Sequence, residues 1–464
     1  MADRIIKKKY CRITFTLASP LAVGSGTNES SDKDIIRDSQ GIPYIPASAM
    51  AGVCRSFFPR TGKDAENTGK YFGNVVIHSL DSKSADNKSS NRSKTEDRIE
   101  SALIFYDATI INQKGQRYYT SIRDSVKLDP FKNAEAGAKF DMEVLEPGIS
   151  FRTYLEQNFW EGKDEDYVQE VVKVFRSGQV CFGAKSMRGY GAIRDVKAEF
   201  LEFPLNSKDS EEIRRWIDFD LYDDDAWKTA THFEASSGSG VNRQLILDLR
   251  LRGGISVRKY TTEVKKDDGK AVPDFAQMTV RVSDNSSDKS KEIPVIPGTS
   301  WAGAIRHRMR ELGLKEEEEH RLFGFVKGGG AGDKARSVIR FGESQLTGGI
   351  NKEFSRNAID RFSGGTVDGA LFTERTYYGG KTQLVISFSN GAKVDEWTRT
   401  HLAAALTDLH YGFLAVGGET SVGRGLFQIT AVNGQKLSSE DNVYKVLDAA
   451  LEAGLSDQGK EGKS

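Results

Sequence analysis

The residues from Gly178 to Gly191, GQVCFGAKSMRGYG, have the types and spacing to hold a phosphate. In the P-loop pattern GxxxxGK[ST], successive backbone N–H groups and one lysine converge on a phosphate at a helix start. Gly178 and Gly183 keep that spacing, but Ala184 displaces Lys185 and Ser186 by one place. The following GYGAIRDVKAEF alternates as a strand does. A nucleotide-hydrolysing site is therefore disfavoured. A different cradle is expected, in which Gly183, Gly189 and Gly191 let backbone N–H groups approach a phosphate while Lys185 and Arg188 supply charge. A plain strand-connecting turn is the alternative. Zinc chemistry finds no support, because the three cysteines (Cys11, Cys54, Cys181) and six histidines are scattered.

The elements that must position this loop are set out by an internal repeat. IPYIPASAMAGVCRSFF at 42–58 recurs as IPVIPGTSWAGAIRHRM at 293–309, with seven of 17 positions identical. CRITFTLASPLAV from Cys11 matches LILDLRLRGGISV from Leu245 in its apolar alternation, at an offset of 234. FGAKSMRGYGAI from Phe182 lines up with VGGETSVGRGLF from Val416 at the same offset, so Gly418, Thr420, Ser421 and Arg424 join the candidates for binding, with Glu419 where copy one has Lys185. The loop is thus the end of each of two copies of one domain. Residues 1–205 are expected to form the first domain, 206–241 an acidic linker, 242–435 the second domain and 436–464 a tail with one short amphipathic helix.

Each copy orders its elements as strand, helix, strands, helix, strand, an α+β arrangement of ferredoxin-like or RRM-like type whose open sheet is often used for RNA. Pro46 opens the first helix, which offers an N-terminal anion site with Ser48. Arg55 and Arg306 stand at equivalent places on the two copies of that helix. The IP motifs sit at an offset of 251, so copy two carries 17 extra residues between its first strand and that motif. Copy one has a polar insertion of similar length, HSLDSKSADNKSSNRSKTEDR, read as flexible.

At 464 residues the chain allows two to three domains, and its 66 basic and 66 acidic residues leave no overall excess to announce a polyanion partner. Any such site must come from local clustering. No apolar signal core and no run of 18 apolar residues is present, which makes a soluble, cytoplasmic protein without membrane contact the expectation.

Together, DIIRDSQGIPYIPASAMAGVCRS and the terminal GAKSMRGYG loop resemble the RAMP superfamily, most of all the repeating backbone subunit of type III CRISPR effector complexes in a two-copy form. Segments beginning RDSVKLDPFKN at Arg123 and RNAIDRFSGG at Arg356 resemble the family's hairpin thumb, which wedges into a guide–target duplex; Leu128, Phe131, Ile359 and Phe362 are either that wedge or ordinary local core. The resemblance implies partners: a guide RNA (crRNA) held by phosphate and 2′-OH contacts, a complementary target RNA, and other RAMP subunits. Arg37 and, opposite it in the repeat, Arg281 belong with the implied RNA contacts, as do Arg123 and Arg356.

The resemblance also implies catalysis. A catalytic aspartate sits six residues before the Asp of the IRD motif in the family's active members, which here is Asp32 counted from Asp38, with Asp34 as its competitor. Such a carboxylate beside a kinked backbone can orient a 2′-OH or hold a hydrated divalent ion, so Mg2+ or a similar ion is the implied cofactor, and no zinc. In copy two, six back from Val282 is Ala276, and the nearest acid is Asp274, stiffened by Pro273; Asp267, Asp268 and Asp284 are further options. The expected activity is divalent-metal-dependent endoribonuclease cleavage of target RNA at regular intervals. A non-catalytic RNA-binding scaffold and a guide-precursor-processing endonuclease are the alternatives, although none of the six histidines lies near the relevant loops.

Overall fold

A computed structural model describes residues 5–26, 31–58, 63–78, 95–111, 117–125, 140–161, 165–206, 210–233, 243–259, 273–283, 290–326, 334–389 and 392–455. Copy one is built on β1 (Ile5–Leu17), α1 (Ala47–Arg55), β2 (Leu103–Phe105), β3 (Ser150–Trp160), α2 (Tyr167–Arg176) and β4 (Ile193–Pro204). Copy two repeats them as β5 (Gln244–Arg252), α3 (Gly298–Glu311), β6 (Ile339–Phe341), β7 (Lys381–Phe388), α4 (Glu396–Tyr411) and β8 (Leu426–Val432). Within the sheets the strands lie in the order β4-β1-β3-β2 and β8-β5-β7-β6, every pair antiparallel. The architecture is mixed α+β.

Strand alternation and helix periodicity together make each core. Cys11, Ile13, Phe15 and Leu17 point every second residue of β1 to one face, where they meet Val168, Val171, Val172 and Phe175 of α2 and Met50 and Cys54 of α1. Phe15 stacks on Phe151 of β3 at 5.7 Å. Asp166 caps α2 by accepting from the Gln169 N–H, and Asp395 caps α4 through Thr398. The second core repeats the plan with Leu245, Leu247, Leu249 and Leu251 of β5 against Trp301, Ile305 and Met309 of α3 and Leu402, Leu406 and Leu409 of α4. The tail helix, Val443–Leu455, closes this core with Val443, Leu447 and Leu451. No helix among the described residues is long and apolar enough to cross a membrane.

The open sheet face expected for RNA is covered in copy one. Residues 210–233 of the acidic segment lie over it, burying Trp227 against Tyr10, Tyr154, Leu201 and Phe203. Arg12 fastens this cover to the sheet by pairing Glu199 and Asp224, each at 2.7 Å. Hydrophobic burial of those aromatics outweighs keeping the face wet. The ASSGSG stretch of that segment, residues 235–240, reads as a flexible joint and lies outside the described residues. In copy two the corresponding face stays polar, with Asp248, Lys381, Gln383 and Thr430 around a concavity.

Candidate nucleic-acid interface

The glycine-rich loops adopt one conformation in both copies. Lys185 and Glu419 each take a left-handed φ of 55°, followed by one 3-10 turn and then glycines at φ 90° and 79°. Non-glycine residues rarely adopt that backbone, so both positions are strained alike. The glycines are required by protein backbone rather than by a phosphate, contrary to the expectation. A Cβ on Gly191 would lie 1.8 Å from the Phe182 carbonyl, one on Gly183 2.4 Å from that of Ala22, and one on Gly189 2.6 Å from that of Phe341. Gly425 repeats the Gly191 contact against Val416 at 1.9 Å. These close approaches shape the loop and, through Phe341, dock copy one on copy two.

What the loop presents differs between the copies. The Lys185 ammonium packs 3.6 Å from the Phe140 ring centroid, with no hydrogen-bond partner among the described residues. Desolvation, with Arg188 and Lys33 nearby, holds its pKa down to about 8. Arg188 is exposed at the end of the turn, and Ser186 accepts from Arg336 at 3.1 Å. In copy two Glu419 instead meets Arg258 at 3.1 Å, Arg424 at 3.6 Å and Arg356 at 3.9 Å. Arg424 and Arg356 also pair with the buried Glu374, at 3.1 and 2.9 Å. Burial beside Glu374 pushes the Glu419 carboxyl up from its usual range. Arg424, expected to contact RNA, is 5% exposed and belongs to this closed network. Gly418 gives its N–H to the Ser256 carbonyl, while Ser421 is exposed and Thr420 lies in the turn.

The Asp32 loop runs beside the Lys185 loop. Asp32 and Asp141 clasp each other: the Asp32 N–H donates to Asp141 Oδ1 at 2.8 Å, and the Asp141 N–H donates to Asp32 Oδ2 at 2.9 Å. Asp141 is the second residue of the strand Phe140–Leu145, next to the phenylalanine under Lys185. Asp34 is turned inward, its Oδ1 accepting from the Ser31 N–H and hydroxyl, both at 2.9 Å. Its work is to shape the turn. Among the described residues no three His, Cys, Asp or Glu side chains gather to hold a metal. The two carboxylates alone suit an ion that keeps most of its water, as Mg2+ does.

Strand register identifies the counterpart of this loop in copy two. Gly24 bridges Ile35, and Arg258 pairs with Gln277, so Asp274 corresponds to Asp32. Arg37 bridges Pro43 and Thr279 pairs with Pro294, which makes Thr279, not Arg281, the counterpart of Arg37. Six residues before Val280, the equivalent of Asp38, stands Asp274. Its carboxylate repeats the clasp, with Oδ2 accepting from the Thr373 N–H at 2.7 Å and the Asp274 N–H donating to Thr373 Oγ1 at 3.3 Å. Asp267, Asp268 and Asp284 lie outside the described residues.

Several other expected contacts are engaged within the protein. Arg123 is 3% exposed and joins Glu146 at 3.3 Å to Glu343 of copy two at 2.6 Å, so it is an interdomain tie rather than an RNA contact. Register also separates it from Arg356: Arg123 pairs with Met142, whereas Phe354 faces the equivalent Glu374. Arg37 pairs with Glu143, Arg281 weakly with Glu292 at 3.7 Å, and Arg306 with the buried Glu319. Arg55, equivalent to Arg306, is half-buried in the last turn of α1. Ser48 is exposed, but the Ala47 N–H beside it already donates to Asp107 at 2.7 Å. Ile359 and Phe362 are 65% and 101% exposed beyond the strands Ile350–Arg356 and Phe372–Tyr378, so local core does not explain them. Leu128 and Phe131 lie outside the described residues. Sequence reading missed Asp141 and Thr373; each follows an aligned phenylalanine, Phe140 or Phe372, and that was the available signal.

Two copies of one α+β unit, each ending in the same strained glycine-rich loop, define a tandem-repeat protein. The chain belongs to the RAMP superfamily, whose family model matches residues 14–194 and 280–428. No curated protein matches it. Among solved structures it is similar to one described as "Cryo-EM structure of the Type III-B Cmr-beta bound to cognate target RNA", at 17% identity and a TM-score of 0.29. That similarity covers 41% of this chain and 61% of the other.

Proposed function

We propose that this chain is a double backbone subunit of a type III CRISPR RNA-guided complex, built from two ferredoxin-like RAMP domains with thumb hairpins. It holds a guide RNA and cuts complementary target RNA once per copy, at Asp32 and at Asp274. The observation that carries the reading is the clasp: in both copies an aspartate at equivalent register is fixed on the first residues of the hairpin's returning strand. A solvated loop acid has no need of such fixing, nor of its repetition across an insertion.

Cleavage would be an in-line transesterification. The target's 2′-oxygen bonds to the adjacent phosphorus as the P–O5′ bond breaks, leaving a 2′,3′-cyclic phosphate and a 5′-hydroxyl. Asp32 accepts or orients the 2′-OH proton, and the departing oxygen takes a proton from water. Lys185, with Arg188 and Lys33 around it, holds phosphate charge in copy one. A divalent ion, when bound at the free carboxylate oxygens, would supply charge neutralisation at the phosphate. Exposed Ile359 and Phe362 suit the wedge of copy two.

The test is cleavage of end-labelled complementary RNA by the assembled complex with Mg2+. Asp32→Ala should delete one cut and Asp274→Ala another, with target binding kept. Loss of both cuts in Asp32→Ala alone leaves one active site; no loss in either makes the chain a scaffold. The latter has one point in its favour for copy two, where Glu419 stands in place of the lysine.

A further inference from the structure

The clasp is chemically unequal in the two copies, and this carries an inference resting on the cleavage reading above. We infer that Asp141 and Thr373 are the positioning residues of the two sites, and that the exchange of carboxylate for hydroxyl makes copy one the faster cutter. Each residue works through two bonds, and Thr373 adds a third, its hydroxyl donating to Asp274 Oδ2 at 3.3 Å, which is long for an O–H···O bond. Its backbone N–H holds the acid's carboxylate, and its side chain holds the acid's own N–H. The first bond is indifferent to the side chain, at 2.9 Å in copy one and 2.7 Å in copy two. The second is not: the acceptor is a carboxylate at 2.8 Å in copy one and a hydroxyl at 3.3 Å in copy two.

Consequences follow for the loop and for the reaction. A charge-assisted bond is roughly twice as strong as a neutral one and is here shorter too. The backbone at Asp32 is therefore tied down more firmly than that at Asp274. Asp32 and Asp274 are exposed, and among the described residues the clasp supplies the hydrogen bonds that hold each acid in one orientation. Catalysis depends steeply on such placement. The Thr373 side chain also shows which replacements copy one tolerates: a short side chain with an oxygen at the same reach retains the clasp, and alanine does not.

The whole complex, with its own guide, gives the test an internal control, because both cuts fall on one labelled target and are timed in one reaction. In wild type under single turnover with Mg2+, the Asp32 cut should be several-fold faster than the Asp274 cut, up to about tenfold. Asp141→Ala should slow the Asp32 cut about 10- to 100-fold, as loss of an orienting partner does, and leave the Asp274 cut unchanged. Asp141→Thr should return the Asp32 cut to within about threefold of the Asp274 rate, and Thr373→Asp should speed the Asp274 cut by the same several-fold factor. Amide hydrogen exchange of peptides spanning Asp32 should rise in Asp141→Ala and stay protected in Asp141→Thr. Equal slowing of both cuts, an unmoved Asp32 cut, threonine as slow as alanine, or unchanged exchange each overturns the inference. If Asp32→Ala and Asp274→Ala leave cleavage intact, or no cut occurs at all, the cleavage reading falls and takes this one with it. Intact single-cut losses with unmoved Asp141 variants sink the inference alone.

Discussion

Replacing Arg123 separates the two roles that sequence and structure assign to it. Its side chain is 2% exposed, those of Glu146 and Glu343 are 3% and 7%, and the guanidinium lies between them. Arg123→Met keeps the volume and removes the charge, which leaves two buried carboxylates uncompensated. Removing one partner of a buried pair costs about 3–5 kcal/mol. At about 2–4 °C per kcal/mol for a domain of this size, the unfolding midpoint of the first domain should fall by roughly 6–20 °C. The loss should depend on pH in a definite sense. Burial already raises the Glu146 carboxyl, and without Arg123 it rises further. A carboxyl with a raised folded pKa stabilises below its unfolded value and loses that contribution as pH rises, so the deficit should be smaller at pH 5 than at pH 8. Adding Glu146→Gln and Glu343→Gln should recover most of it. Differential scanning fluorimetry across that pH range reads both variants against the wild type. An unchanged midpoint, together with weaker RNA retention and a salt slope shallower by about one, would return Arg123 to phosphate binding and refute the argument.

Other perturbations address the loops. Alanine at both Lys185 and Arg188 should weaken RNA retention equally for unrelated guides and flatten the salt slope by roughly one to two units, measured by filter binding across a salt series. Because the Lys185 amine is held near pKa 8 and attracts phosphate only when protonated, affinity should decline as pH rises from 7 to 9, by at most about tenfold per unit; Lys185→Arg should remove that decline. Gly425→Ala should prevent folding of copy two, because its Cβ meets the Val416 carbonyl at 1.9 Å, whereas Gly423→Ala meets nothing within 4 Å and should cost about 1 kcal/mol of backbone strain by urea titration.

The repeat, the order of the main elements and the helix at each IP motif were legible, because apolar periodicity and the IP and glycine-rich motifs recur at fixed offsets; the helices Lys63–Phe72 and Glu316–Phe323 were not. Register was not. The 17 extra residues of copy two are divided by the strand pairing, eight before Asp274 and nine after it, and no residue pattern marks that division. Counting six back from Val282 therefore missed by two positions. Charge was misjudged for a related reason. Arg123 finds Glu343 across 220 residues of sequence, and nothing near Arg123 announces that partner. The cover over the first sheet was likewise hidden, since an acidic segment with Trp216, Phe219 and Trp227 has the composition of a solvated linker until its aromatics meet Tyr10 and Tyr154.

The two copies keep the same backbone where chemistry would need it and differ in charge around it. Among the described residues Lys185 over Phe140 is a cation without an anion; Glu419 among Arg258, Arg356 and Arg424 is a position whose charges are already matched. A half-desolvated ammonium is a cost in the free protein that a phosphate would remove, so on the proposed RNA-binding reading copy one would gain more from RNA than copy two. The acid and its clasp nevertheless persist in copy two without the lysine. On the proposed reading, holding the guide and placing the acid are thus separable tasks in this fold: one belongs to the loop's side chains, the other to a backbone register that copy two keeps despite its longer loop and its glutamate at the lysine's place.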